Sequence, residues 1–241
     1  PATLRRQRQM CIRDSVSTNV APQWGVRPST HAIIEKLYEG FVEKFNEHLK
    51  QYPYLLGGKP CLGDFSLMCP LYGHLGRDPV PHRLLQMRGP WVHRWVERMN
   101  RPEPDTGEYI NLPHSFLQDD EVPETIIELL THFALDFVPE TIASHSGINR
   151  WLEENKPAIG TQCERYAGEA EFDVEGTAIH VCPQPFRFYL LERVQSAIQA
   201  LKGSDQADAL ALLDTCNMTA VLDLKLDRKI GRANNLEVWL D

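Results

Sequence analysis

The chain has 241 residues, with 42% hydrophobic and 24% charged side chains and a net charge of −8. That composition supports a packed core, and the five Trp, nine Phe and seven Tyr argue against disorder over most of the length. No window approaches about eighteen uninterrupted apolar residues, so no membrane span is expected, and the acidic balance suits neither nucleic acid nor an anionic membrane surface as a partner.

Residues 1–15 hold Arg5, Arg6, Arg8 and Arg13 with one acid, Asp14, and no apolar stretch behind the arginines. No signal peptide is expected from them. The run Met10-Cys11-Ile12-Arg13-Asp14-Ser15 resembles one reading frame of a transposon adapter used in sequencing-library preparation. The stretch is expected to be foreign to the fold, or else a disordered tail, with the native part starting near Val16.

Ser29 or Thr30 can cap a first helix in which Ile33, Ile34, Leu37, Phe41, Phe45 and Leu49 recur at three- and four-residue steps. Glu35, Lys36, Glu39, Glu43, Lys44 and Glu47 fall on the opposite face. Pro53 ends it, Gly57-Gly58-Lys59-Pro60 reads as a turn, and Leu62–Leu75 is an apolar segment that Pro70 should kink. Pro79, Pro81, Gly89 and Pro90 punctuate the next stretch, before a short amphipathic helix with Trp91, Val92, Trp95, Val96 and Met99. Residues 101–120 read as a connection.

A second helical block opens at Pro123 with Ile126, Ile127, Leu130, Phe133, Ala134 and Phe137 on one stripe. Pro139 should bend or break it, and Ile142, Ile148, Trp151 and Leu152 continue the apolar face. Phe172, Val174, Ile179 and Val181 alternate around Glu175-Gly176 as in a small hairpin. Phe188, Leu191, Val194, Ile198 and Leu201 mark a further helix, and Ala209–Leu213 another. The segments Val221–Leu226 and Leu236–Trp239 alternate and are expected to pair as strands. The fold class is therefore mainly α, a helical bundle with minor β decoration.

Six cysteines at 11, 61, 69, 163, 182 and 216 have no CxxC and no regular spacing, which suits reduced thiols in a cytoplasmic protein. Nine histidines raise a metal reading, but there is no HExxH, HxH or Cys/His cluster with zinc spacing. His132 and His145 stand thirteen apart across a proline. Gly147-Ile148-Asn149-Arg150 lacks a phosphate-loop pattern, and no GxSxG elbow exists.

Three runs carry a resemblance. Tyr54-Leu-Leu-Gly-Gly-Lys-Pro-Cys-Leu-Gly-Asp-Phe65, Pro70-Leu-Tyr-Gly-His-Leu-Gly-Arg-Asp-Pro79 and Trp91-Val-His-Arg-Trp-Val-Glu-Arg-Met-Asn100 resemble successive helices in the C-terminal, all-helical domain of glutathione S-transferases of bacterial type. The likeness covers about residues 22–101; from 123 onward it is much looser. The first run opens the family's buried central helix with a capping box, in which Asp64 supplies the acid and Cys61 stands where Ser or Thr is usual. A thiol is a weaker acceptor than a hydroxyl. Cys61 could alternatively be a thiol activated by the helix N-terminus.

The resemblance implies a helical domain over 16–155 and a C-terminal extension over 156–241, a hairpin plus helices packed on the bundle. It implies glutathione as thiol co-substrate, held by a thioredoxin-like domain that has no counterpart in this chain. The chain is thus expected to be an N-terminally truncated fragment, inactive alone, from a homodimeric enzyme acting on small hydrophobic electrophiles. By the family's logic Tyr72, His74 and Arg77 approach the substrate pocket and Trp24 borders it, with no catalytic residue and no metal ligand in this chain. Against this, Arg77 and Asp78 can form a local end-of-helix pair, His74 can be a packed imidazole, and Trp24 can simply anchor a loop. A rival of another class is a non-catalytic helical module used for protein association.

Overall fold

The computed structural model describes residues 16–101 and 107–241. The foreign-looking stretch 1–15 and residues 102–106 of the connection lie outside the described residues. The fold is mainly helical, with two small antiparallel strand pairs. It divides into two compact units, Lys36–Phe133 on one hand and the described residues up to Glu35 with Ala134–Asp241 on the other. One unbroken helix, Glu124–Asn155, carries the chain from the first into the second.

Most of helix α1, His31–Leu49, belongs to the first unit. Its stripe is as expected, with Phe41, Phe45 and Leu49 buried, joined by Val42. The expected hydroxyl cap is not made by Thr30. Its Oγ1 instead accepts the Arg27 N–H (3.0 Å) and donates to the Gly25 carbonyl (2.6 Å), so it holds the turn before the helix.

Helix α2, Leu62–Pro70, passes at Pro70 into a wider π-helical turn, Leu71–Leu75, which is where the expected kink falls. The prolines read as punctuation after it in fact open a helix, α3, Pro79–Arg88. Pro79 and Pro81 sit in its first turn, where no backbone partner is lost. Helix α4, Pro90–Met99, buries Val92, Trp95 and Val96. The Trp91 N–H in its first turn donates to Asn46 Oδ1 of α1 (3.0 Å), a cap supplied from another helix. Phe45 meets Trp95 edge-on at 5.0 Å, and each such buried aromatic contributes about 1.5–3 kcal/mol over its exposed state.

In the second unit, the longer part of α5, Glu124–Asn155, buries Ile148 and Leu152 against Ala167, Phe188, Ile230 and Trp239. Pro139 neither breaks nor ends this helix. Gly147 is required by close approach: a Cβ there would stand 2.6 Å from the Glu169 carbonyl oxygen. The expected hairpin is present as β1, Ala170–Val174, and β2, Thr177–Val181, with Val174 opposite Thr177. Its turn residues Glu175 and Gly176 both have positive φ, 51° and 81°, the geometry of a tight two-residue hairpin.

Helix α6, Pro185–Ala200, and α7, Ser204–Thr215, come next. The face α6 buries differs from the expected stripe: Phe188 and Gln195 are buried, whereas Val194 is 53% exposed. The second strand pair also differs. Leu236–Trp239, β4, pairs with Ile230–Ala233, β3, and not with Val221–Leu226. Asn234 and Asn235 adopt positive φ between them, as a short hairpin demands. The Val221 and Leu224 carbonyls are taken by the Gln195 side-chain amide, at 2.9 and 3.0 Å. A segment whose carbonyls face a helix in that way has none left on that side for a ladder.

Candidate functional site

Asp64 is fully buried at the third position of α2 and collects three donors. Cys61 N–H reaches Oδ2 at 2.9 Å, while Leu55 N–H (3.1 Å) and the Trp95 indole N–H (3.2 Å) share Oδ1. The expected acid half of the capping box is therefore made, and the same carboxylate also ties α2 to α4 and to the preceding turn. The Cys61 thiol faces the Asp64 backbone N–H in the cap position. Burial, ahead of the neighbouring Asp64 charge, pushes this thiol up from its ordinary value. The direction is opposite to that of a thiol activated by a helix start.

Two further buried polar side chains brace this region. His48, with no exposure, sits between the Thr125 hydroxyl (2.8 Å from Nδ1) and the Tyr54 carbonyl (3.0 Å from Nε2). Burial lowers its pKa despite that hydrogen bond and the Asp64 charge. The neutral tautomer with hydrogen on Nε2 satisfies both partners. Arg98, 3% exposed, donates to the Pro53 carbonyl (3.0 Å) and stacks near Tyr54 and Tyr109.

The π-helical turn places the candidate substrate residues. Arg77 lies over the Tyr72 ring, 4.1 Å from its centroid, and its guanidinium is 3.5 Å from Glu97 of α4. It pairs across to another helix, where the local alternative had it beside Asp78. His74 is exposed, so it is not a packed imidazole. Nearby, the His82 and His93 rings lie 5.0 Å apart and tilted by 33°, and Gln86 is 3.1 Å from His82. The His93 pKa is lowered by burial, then by His82 and Arg77, against the pull of Glu97. The half-buried Tyr72 ring is thus covered on one face by Arg77, a cation–π contact whose charge Glu97 partly offsets.

Trp24 lies in the other unit. It is 52% exposed and its indole N–H donates to the Tyr166 hydroxyl (3.2 Å). The next residue, Gly25, has φ 81°, and a Cβ there would come within 2.4 Å of Ile179 Cγ2. The Gln23 carbonyl accepts the Cys182 N–H (2.7 Å). Trp24 thus sits on a corner pinned to the β1–β2 hairpin, and the structure does not bring it into one unit with Tyr72, His74 and Arg77.

Among the described residues no group of three or more His, Cys, Asp or Glu is placed to hold a metal ion. Cys61, Cys69, Cys163, Cys182 and Cys216 are free thiols, and burial pushes Cys163 up to about 12, with Glu164 and Glu237 adding to it. No described helix is long and apolar enough to cross a membrane. The sequence reading missed Asn46, His48 and Arg98 as buried. His48 had a signal in its position between Phe45 and Leu49 on the apolar face; Arg98 had only the following Met99.

Residues 35–103 match the family model described as glutathione S-transferase, C-terminal domain. The match takes in Asp64, Tyr72, His74, Arg77 and the Trp91–Asn100 run; Trp24 and the unit Ala134–Asp241 fall outside it. No curated protein and no solved structure matches the chain.

Proposed function

We propose that this chain, whose residues 35–103 match the glutathione S-transferase C-terminal domain model, supplies the hydrophobic-substrate side of a site for conjugation or reduction of small electrophiles. Glutathione is the thiol co-substrate in this reading. The observation that carries it is the matched stretch keeping Asp64 buried at the start of α2, with Tyr72 and Arg77 stacked 4.1 Å apart at its far end. Tyr72 offers the ring against which an apolar electrophile packs, and Arg77 and His74 offer polar contact at its rim.

Thiolate stabilisation and binding of the tripeptide fall to a thioredoxin-like domain. The strand pairs among the described residues are two antiparallel hairpins, and the reading assigns the thiol site to neither. The working protein is a two-fold dimer in the cytoplasm. A second reading, a helical association module without catalysis, draws support from Ala134–Asp241, which has its own core outside the family match.

Titration calorimetry on the full chain tests the first reading. Glutathione should give no saturable binding in the millimolar range, whereas 1-chloro-2,4-dinitrobenzene should bind and be weakened several-fold by Tyr72→Ala and by Arg77→Ala. One-site glutathione binding would relocate the thiol site into this chain. Electrophile binding untouched by both substitutions would remove the substrate-face assignment and leave the association module ahead.

A further inference from the structure

The unit Ala134–Asp241 holds a cavity of about 280 Å³, close to the lower bound of roughly 300 Å³ for small-molecule pockets. It lies between α5, α6 and the end of α7, and its walls include Phe137, Phe188, Leu191, Val194, Leu213 and Met218. Neither the family match nor the proposed substrate face includes any of these residues.

One polar group in this wall stands out. Ser144 is 3% exposed, lines the cavity, and its Oγ has no hydrogen-bond partner. Helical hydroxyls ordinarily bond back to the carbonyl four residues earlier. Ser66, Thr131, Thr141, Ser146 and Thr215 all do so here, Thr141 from the same wall at 2.6 Å to Phe137. An unpaired buried hydroxyl is destabilising, and a water would need roughly two to four polar partners to hold it in place. The other polar side chains of these mainly apolar walls are Thr141, Gln184 and Arg187, of which Thr141 is engaged with Phe137 and Arg187 with Glu140. With Arg187 engaged in that way, the site presents no uncompensated charge.

We propose that this cavity binds a neutral, compact apolar molecule carrying one hydroxyl or carbonyl, which Ser144 Oγ meets. The apolar body fills the space between Phe137, Phe188 and Leu213, and the single polar atom completes the hydrogen bond the helix leaves unmade. This inference stands apart from the glutathione-dependent reading, because it concerns a different unit of the chain.

The test is titration calorimetry of the full chain at pH 7 with 2-naphthol and 2-methylnaphthalene, which share a shape and differ in one hydroxyl. Both should bind at one site, 2-naphthol the more tightly. Ser144→Ala should weaken 2-naphthol by roughly three- to tenfold and leave 2-methylnaphthalene unchanged, the latter also reporting that the cavity is intact. Leu213→Trp, which fills the space, should abolish both. Absence of saturable binding by the unaltered chain, or equal 2-naphthol affinity with and without the Ser144 hydroxyl, would overturn the proposal. Should Ser144→Ala lose both probes, Ser144→Cys must reproduce the selective loss, and its failure to do so would overturn the proposal as well.

Discussion

The two compact units set their buried polar groups in different surroundings. Within Lys36–Phe133, Asn46, His48, Asp64 and Arg98 are each tied to a named backbone or side-chain partner. Within Ala134–Asp241, Gln195 is tied in the same manner, yet Ser144 is buried without a partner beside an apolar void. Side chains bonded from two sides, as His48 and Asp64 are, fix one packing and leave no room for a guest around them; the buried Tyr38 hydroxyl of the same unit has no partner. A single unmade bond next to a void leaves a defined place for one.

The sharpest way to break the comparison is Asp64→Ala. It strands three donors inside the first unit, and we expect a loss of about 3–5 kcal/mol in urea unfolding. Unchanged midpoints would remove Asp64 as the organising carboxylate. Gln195→Leu asks the same of the second unit by freeing the Val221 and Leu224 carbonyls; a loss of about 2–3 kcal/mol is expected, and a neutral result would make that polar tie dispensable.

Acid should act mainly on the first unit. The folded-state pKa of His48 is depressed by burial, so the unfolded chain takes up the proton first as pH falls. Stability is therefore full above about pH 6.5, the ordinary histidine value, and declines as pH drops below it. His48→Gln should remove most of that slope and His93→Gln, in its more open position, a smaller share. Unfolding midpoints measured from pH 7.5 down to pH 5 decide the matter; an undiminished slope in His48→Gln would assign it elsewhere. The smallest effect is a gain. Cys61→Ser places a better acceptor opposite the Asp64 N–H and should add about 0.5–1 kcal/mol, visible as a raised thermal midpoint. No gain would mean the thiol already caps as well as a hydroxyl.

Much of this architecture was legible in the sequence where local rules act alone. The Phe41–Phe45–Leu49 stripe, the Asp64 box and the Glu175-Gly176 hairpin each come from spacing or turn chemistry within a dozen residues. The misleading residues were those whose role depends on distant partners. Thr30 looked like a helix cap but bonds back to Gly25 and Arg27. Val221–Leu226 alternates like a strand but surrenders carbonyls to Gln195 from an earlier helix. Pro79 and Pro81 looked like breaks because proline carries one sequence signal for both a stop and a first helical turn. For the candidate site, the Tyr72–Arg77 neighbourhood was readable from the motif, whereas its Glu97 partner and the Ser144 cavity were not, since neither leaves a local trace.

Pro139 has a consequence for the kinetics of opening. In an uninterrupted helix each amide proton is guarded by the carbonyl four residues back, and protection passes cooperatively from turn to turn. Pro139 has no such proton to give, so the Leu135 carbonyl lacks its usual helical donor and the ladder of Glu124–Asn155 has a gap near its middle. Amide exchange with deuterated water should therefore divide this one helix into two protection classes. Residues before the gap would report on the opening of Lys36–Phe133, and those after it on Ala134–Asp241. A single continuous helix would then record two separate clocks.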